Sequence, residues 1–471
     1  MVYRCIYSVV FYLAIPMVLV RLLYRSLKEP LYRVAIAERF GCYKIPDNSF
    51  PLGEVPSSEA TSFKEAPGEN SLDKERPRNK DQKGELKKET SGPIWIHAVS
   101  AGETIAAVPL IRRLVAKGYL CLVTHMTPTG RQRVEVLLAD EIRAGTVKYC
   151  YAPYDLPGSL KRFIKNNRPR ALLTIDTELW PNTIAVCRAN QIHTVLINGR
   201  LSARSAKGYA RLAPLIGPML ATIDLLTVQT RQHRDRFLAL GVAPERLHVT
   251  GSIKFDGEYA TGHSERKSRL ILLIGNRAVL LGASTHEGEE SVLLQAFIAA
   301  KPNFEDGLLV LVPRHTHRTE RVLDLCDEAG LKVQRFSDIG HGVSIGDDID
   351  VLLVDVMGEL EGFYEFARIA FVGGSLVPVG GHNLLEAVRA GAPVIMGPHL
   401  DNIEDIAALF LAAGGMLVAT NQNVFTRCVT DMLSDEGERT AQIKAANQVL
   451  AENRGSLDRA EALVLSLIDP S

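Results

Sequence analysis

Apolar residues along most of this chain come in short unbroken runs that alternate with longer amphipathic stretches, the pattern of parallel strands buried on both faces and of the helices that cover them. Residues 93–103, Pro-Ile-Trp-Ile-His-Ala-Val-Ser-Ala-Gly-Glu, open the series: Ile94, Trp95 and Ile96 form a β-favouring run. Beyond it Ile105, Val108, Ile111 and Val115 share one helical face, Arg112, Arg113 and Lys117 lie off it, and Gly118 ends the helix. The same alternation predicts strands at 120–124, 147–151, 171–175, 195–197, 225–228 and 247–250, with a helix over 132–138 opened by the turn Thr127-Pro-Thr-Gly130. It restarts with strands at 279–281, 308–312, 351–354, at Phe371 and at 394–396, and with a helix through Leu293 and Phe297. The fold expected is α/β: a Rossmann-like domain over 93–255 and another over 256–471, implying a cleft.

Two stretches depart from this pattern. Residues 5–20 are apolar apart from Ser8 and the tyrosines, which predicts an N-terminal membrane-anchor helix over 1–46 together with its basic flank. Pro16 would kink it, so a span and an interfacial helix are both left open. Arg21, Arg25, Lys28 and Arg33 outnumber Arg4 on the other side, which favours an uncleaved anchor with the body of the chain cytoplasmic. Residues 47–92 are dense in Lys, Glu, Asp, Pro, Ser and Gly, and read as a disordered charged insert without chemistry of its own. With 54 basic and 54 acidic residues the net charge is zero, so no global field favours nucleic acid and an anionic substrate must be met locally. Seven cysteines without a C-x-x-C pair argue against a disulfide framework and a zinc site.

Candidate chemistry lies where strands end, because ligands of open α/β sheets bind outside the strands' carboxyl ends. Glu103 stands on the first such turn, as a catalytic carboxylate or a helix cap. Asp176 and Glu178 follow the strand 171–175 and would share a face if that strand continued, one as acid or base and the other as its orienter. The loop after 195–197 carries Arg200, Ser202, Arg204 and Ser205, donors suited to a phosphate or carboxylate. Lys254 follows the last strand of the first half. In the second half the turn at 282–287 opens a helix whose free N–H groups suit phosphate, and Pro313-Arg314-His315-Thr316-His317 reads as an anion site at Arg314 in preference to a metal site at the histidines. The glycine-rich loop after Phe371 leads to Asn383 and Glu386, one turn apart on a single helical face, where a carboxylate suits ribose hydroxyls.

Taken together, Ser100-Ala-Gly-Glu103, Thr177-Glu-Leu-Trp-Pro-Asn182, Asn198-Gly-Arg-Leu-Ser202 with Arg204-Ser205, residues 251–256, Pro313-Arg-His315, Met357-Gly-Glu359 and Asn383-Leu-Leu-Glu386 resemble the bacterial 3-deoxy-D-manno-octulosonic acid (Kdo) transferases in kind and order. That resemblance implies a GT-B fold, CMP-Kdo as donor, lipid IVA at the inner membrane as acceptor, and neither a cofactor nor a metal. It implies Glu103 as general base, Glu178 and Lys254 as groups that stabilise the transition state, and a CMP site of Pro313, Arg314, Met357, Gly358, Glu359, Asn383, Leu384, Leu385 and Glu386. Arg200, Ser202, Arg204 and Ser205, in the same half as Glu103, are then assigned to the acceptor. The stretch 47–92 resembles an insertion, and Asp176 stands where the family more often has Glu. A lipid disaccharide synthase, a sugar-nucleotide epimerase or a non-catalytic nucleotide-binding scaffold would share the glycine loop without needing Glu103.

Overall fold

Seven parallel strands make the first sheet: β1 Ile94–His97, β2 Cys121–His125, β3 Val147–Tyr151, β4 Ala171–Ile175, β5 His193–Gly199, β6 Leu225–Val228 and β7 Leu247–Val249, in the order β3-β2-β1-β4-β5-β6-β7. Seven more make the second: β8 Ala278–Thr285, β9 Gly307–Pro313, β10 Val333–Arg335, β11 Val351–Leu353, β12 Ala367–Val372, β13 Val394–Met396 and β14 Leu417–Val418, in the order β10-β11-β9-β8-β12-β13-β14. The computed structural model describes residues 2–28, 30–43, 92–257, 263–304, 306–340 and 342–469. They form two compact units, Met1–Gly257 with Gly455–Ser471, and Glu258–Arg454. The expectation of disorder over 47–92 falls, apart from Gly92, outside the described residues.

The unbroken apolar runs are explained by helices on both faces of each sheet. In register, Ile94 lies beside Cys121 and Ala171, and Trp95 beside Leu122 and Leu172. Alternation then sends Ile94, Ile96, Val123 and Leu173 into one core, against Leu110, Ile111 and Leu114 of the helix Ala101–Ala116. Trp95, Leu122 and Leu172 enter the other, where Trp95 meets the Phe163 ring at 4.4 Å between centroids. In each sheet the chain fills one side of its first strand, β11 slipping between β9 and β10 in the second, and then crosses to the other side, so the direction reverses between β1 and β4 and between β8 and β12.

The structure departs from the periodicity in several places. The helix expected from 132 starts at Pro128, because Thr127 Oγ1 accepts the Gly130 N–H as a cap and Pro128 suits the first turn. Strands β10 and β14 lie at the sheet edges, short and half-exposed, and so lack the apolar run that marks a buried strand. The last helix, Ser456–Ile468, was expected within the second domain, but Leu457, Ala460, Val464 and Ile468 lie in the core beneath the helix Ala101–Ala116. Asp256 holds its start, accepting the Gly455 and Leu457 N–H groups at 2.7 Å each. Gly251 beside it has φ of 87°, and a Cβ there would come within 2.4 Å of Ser456 Oγ.

Residues 30–43 cover the exposed edge of the first sheet. Glu38 accepts the β3 N–H of Tyr151 at 2.7 Å and pairs with Arg131 at 3.1 Å, and buried Arg39 stacks 4.0 Å over the Tyr151 ring. Ahead of them the helix Val2–Lys28 contains Pro16 and is long and apolar enough to cross a membrane. Leu13, Met17 and Leu27 are each more than 70% exposed. The helix touches the body through Ser8 and Asn182, which exchange hydrogen bonds of 3.0–3.1 Å, through the Tyr7 hydroxyl on Asp155, and through Phe11, which meets Tyr154 at 6.5 Å. Asn182 is held independently, its N–H and side-chain amide both donating to Asp155. Deleting residues 1–26 is therefore expected to preserve cooperative unfolding of the body and to abolish co-sedimentation with lipid vesicles. Loss of cooperative unfolding would show that the helix belongs to the core.

Candidate active site

Glu103 lies at the carboxyl end of β1, on the reversal point of the first sheet. Ser100 caps the helix Ala101–Ala116 by accepting the Glu103 N–H, while Glu103 Oε2 accepts the Val99 N–H at 2.7 Å and Oε1 accepts the Ser100 hydroxyl at 2.9 Å. This is a capping box shifted by one residue, so Glu103 does cap. Capping does not make it an ordinary carboxylate: burial above all, then the charge of Glu178, raise its pKa to about 7, against the smaller opposing effect of the Ser100 hydrogen bond.

Across the reversal point, β4 ends at Ile175 and does not continue. Asp176 turns into the left-handed region at φ 58°, so Asp176 and Glu178 do not share a strand face as expected. Glu178 accepts the Trp180 indole N–H at 2.8 Å, and its pKa is raised by burial, with a contribution from Asp176. Asp176 faces elsewhere. Its Oδ1 accepts from Asn198 Nδ2 at 2.5 Å, and its Oδ2 lies 3.6 Å from Lys254 Nζ. Asn198 Oδ1 in turn accepts the Ile253 N–H at 3.1 Å, and its own N–H donates to Thr227 Oγ1. Fully buried Asn198 thereby ties β4 and β6 to the segment after β7 and holds Lys254 at the same rim as the two glutamates. Its role was not legible in the sequence, since Asn before Gly reads only as a turn.

The loop after β5 is fastened by Thr177, whose hydroxyl accepts the Arg200 N–H at 3.0 Å and donates to the Arg200 carbonyl. Ser202 and Ser205 do not project as two independent donors: Ser202 Oγ accepts the Ser205 N–H, caps the helix Ala203–Arg211 and donates to Ser205 Oγ at 3.0 Å. Arg204, Lys207 and Arg211 line a surface groove of about 510 Å³ with Ala203 and Gly208. Lys207 and Arg211 were missed because neither belongs to a motif, although their spacing from Arg204 puts all three on one helical side. Tyr209 of this helix senses Glu178: burial chiefly, then that charge, holds its phenol above the ordinary range.

In the second unit the corresponding turns line one rim. The amides of the glycine loop do not await a phosphate: buried Glu289 accepts the Gly374, Ser375 and Leu376 N–H groups at 2.9–3.0 Å and the His286 N–H at 2.8 Å. In the turn before the helix Glu289–Ala300 that carboxylate takes the His286 N–H, and no side chain caps the helix start at Gly288. Glu290 takes a bidentate fork from Arg318, fixing the segment after β9. There Pro313 ends the strand, and the Arg314 N–H donates to the Thr285 carbonyl at 3.0 Å. Met357 and Gly358, after β11, are exposed, and Glu359 precedes the helix Leu360–Tyr364. Asn383 precedes the helix Leu385–Arg389 instead of lying in it, accepting the Leu385 N–H and donating to Glu386 Oε1 at 3.2 Å. Leu384 and Leu385 are fully buried.

A family profile described as 3-deoxy-D-manno-octulosonic-acid transferase (kdotransferase) matches residues 37–257. The chain is 36% identical to a 3-deoxy-D-manno-octulosonic acid transferase of Bordetella pertussis, over 78% of this chain and 86% of that one. It is 34% identical to a transferase of the same name from Haemophilus influenzae, over 99% and 98%. The chain belongs to the 3-deoxy-D-manno-octulosonic acid transferase family. As a Kdo transferase it is a glycosyltransferase, and its two parallel-sheet units make the GT-B fold. A Rickettsia africae glycosyltransferase, with TM-score 0.53 and 14% identity over 81% of this chain and all of that one, shares the fold. So does a putative UDP-N-acetylglucosamine 2-epimerase of Listeria monocytogenes, with TM-score 0.51 and 15% identity over 81% and 97%.

The raised Glu103 pKa has a measurable sign in this Kdo transferase. Between the ordinary value of 4.5 and about 7, the native state retains a proton that the unfolded state has released, so stability falls as pH rises through that window. Glu103→Gln removes this contribution. The variant is expected to melt at least as high as the wild-type protein above pH 7, with a shallower decline from pH 5 to 7. Identical melting-temperature profiles would show that Glu103 titrates normally.

Proposed function

We propose that the chain transfers Kdo from CMP-Kdo to lipid IVA with inversion at the anomeric carbon, Glu103 acting as general base. The observation that carries this reading is the Glu103 carboxylate, raised to about 7 at the reversal point of the first sheet beside Glu178. A base with a pKa near the working pH is partly ionised and still basic enough to accept a hydroxyl proton as the new bond forms. In the reaction the acceptor oxygen bonds to the anomeric carbon and its proton passes to Glu103. The bond from that carbon to the phosphate oxygen breaks, its electron pair leaving with CMP. Lys254, oriented by Asp176, supplies positive charge and Glu178 negative charge to the transition state.

In the donor half, Arg314 suits the phosphate, Glu386, held by Asn383, the ribose hydroxyls, and the turn Met357-Gly358-Glu359 the base. The cationic side formed by Arg204, Lys207 and Arg211, with Arg200, suits an anionic lipid acceptor. The apolar helix Val2–Lys28 fits a membrane anchor, and its basic flank favours a cytoplasmic body at the inner membrane. Anchoring confines the search for a lipid acceptor to two dimensions and raises its local concentration.

Incubation with CMP-Kdo and lipid IVA, followed by CMP release and product mass, tests the activity. Glu103→Gln is expected to lower turnover by about a hundredfold or more and to leave CMP affinity nearly unchanged, as loss of a general base does. Near-normal turnover would remove Glu103 from the chemistry. Arg204→Ala is expected to raise KM for lipid IVA several-fold, about 3–10 times for loss of one exposed charge contact, and to spare KM for CMP-Kdo. The opposite pattern would assign this face to the donor.

A further inference from the structure

Two histidines that the transfer reading leaves idle meet at the reversal point of the second sheet. His286 follows β8, His382 follows the glycine loop after β12, and their Nε2 atoms lie 2.8 Å apart, the rings stacked at 16° with centroids separated by 5.1 Å. At that distance one nitrogen must carry a proton and the other accept it, since two N–H groups would point at each other. The pair is thus neutral or singly charged, never doubly charged, while the contact lasts.

Burial opposes charge on both rings, while the Glu289 and Glu290 charges partly offset this at His286. Arg314 acts electrostatically on both rings and on His315, whose ring meets His286 edge-on at 5.9 Å and stacks on His317 at 5.4 Å. The nearby carboxylates are committed: Glu289 to four backbone amides, Glu290 to Arg318 and Thr285. Burial first, then Arg314, lower His382 to about 4, and burial lowers His286. Two half-buried imidazoles and a guanidinium therefore converge where neighbouring acids are already engaged, an environment completed by an incoming anion.

We propose that His286 and His382 separate to bind the phosphate of the nucleotide through their Nε2 atoms and take up one proton from solvent as they do so. This rests on the nucleotide reading of the second unit. The proton count follows from the contact: only one Nε2 of the neutral pair bears hydrogen, so two donors to a phosphate need one more proton. The anion's charge, set against Arg314, favours that uptake. During transfer the phosphate passes from a singly charged diester to a doubly charged monoester as the sugar–oxygen bond pair goes to it. The imidazolium returns its proton to that oxygen, while Glu103 takes the acceptor's proton, so charge and protons balance. The two histidines are accordingly leaving-group residues.

Calorimetric titration of the full chain with CMP at pH 7.5, in buffers of different ionisation enthalpy, reads the uptake directly. About one proton per CMP is expected. His286→Asn and His382→Asn should each bring uptake close to zero and weaken CMP about tenfold, the effect of one charge-assisted hydrogen bond. His317→Asn, an exposed neighbour, should change neither. CMP binding without proton uptake in the wild-type protein, or uptake unchanged in both pair variants, would overturn the inference. Because the wild-type measurement needs no substitution, a variant that fails to fold leaves the test intact. Absence of CMP binding would instead overturn the nucleotide reading itself, and this inference with it.

Discussion

A parallel strand cannot be joined to its neighbour by a tight turn, and every other feature of this chain follows from that constraint. Each strand returns through a helix laid on a face of the sheet, so both faces are buried and all strand-to-helix turns fall along one rim. In the first unit that rim gathers Glu103, Glu178, Arg200 and Lys254 from four separate connections. In the second it gathers His286, Arg314, Glu359 and Glu386. The turns also carry the backbone groups the ladders leave unpaired, and polar side chains must be spent on them.

That competition separates residues that look alike in sequence. Glu103 and Glu289 both open a helix just after a strand. Glu289 is enclosed by four amides and serves as internal scaffolding for the glycine loop. Glu103 accepts only two hydrogen bonds, beside a second carboxylate, and burial therefore wins over capping and lifts its pKa. Asp176 is a third outcome: its left-handed backbone turns it away from Glu178 towards Asn198 and Lys254, where it orients a cation. A carboxylate's role at such a rim is set by how many donors reach it.

The same logic joins the ends of the chain to the first sheet. Residues 30–43 cap the open edge at β3, and the last helix fills one face with Asp256 at its start. Residues 251–256, which resemble a functional motif, thus serve both purposes, Lys254 at the rim and Asp256 beneath the last helix. Asn182 likewise belongs to a motif and contacts the apolar N-terminal helix, so residues near the candidate site also hold the element that fits a membrane anchor.

Most strands, the two Rossmann-like units and the rim positions of Glu103, Glu178, Lys254 and Arg314 were determined by the sequence alone, because apolar period and turn chemistry are local properties. The edge strands β10 and β14 escaped because half-exposed strands carry no continuous apolar run. Tertiary structure alone decided which donors reach which acceptor: that Asn198 locks Asp176 to Lys254, that Glu289 takes the amides meant for an anion, and that His286 and His382, 96 residues apart, share a contact. Hydrogen bonds between turns of different strands depend on sheet order, and sheet order is not a local property of any stretch of chain.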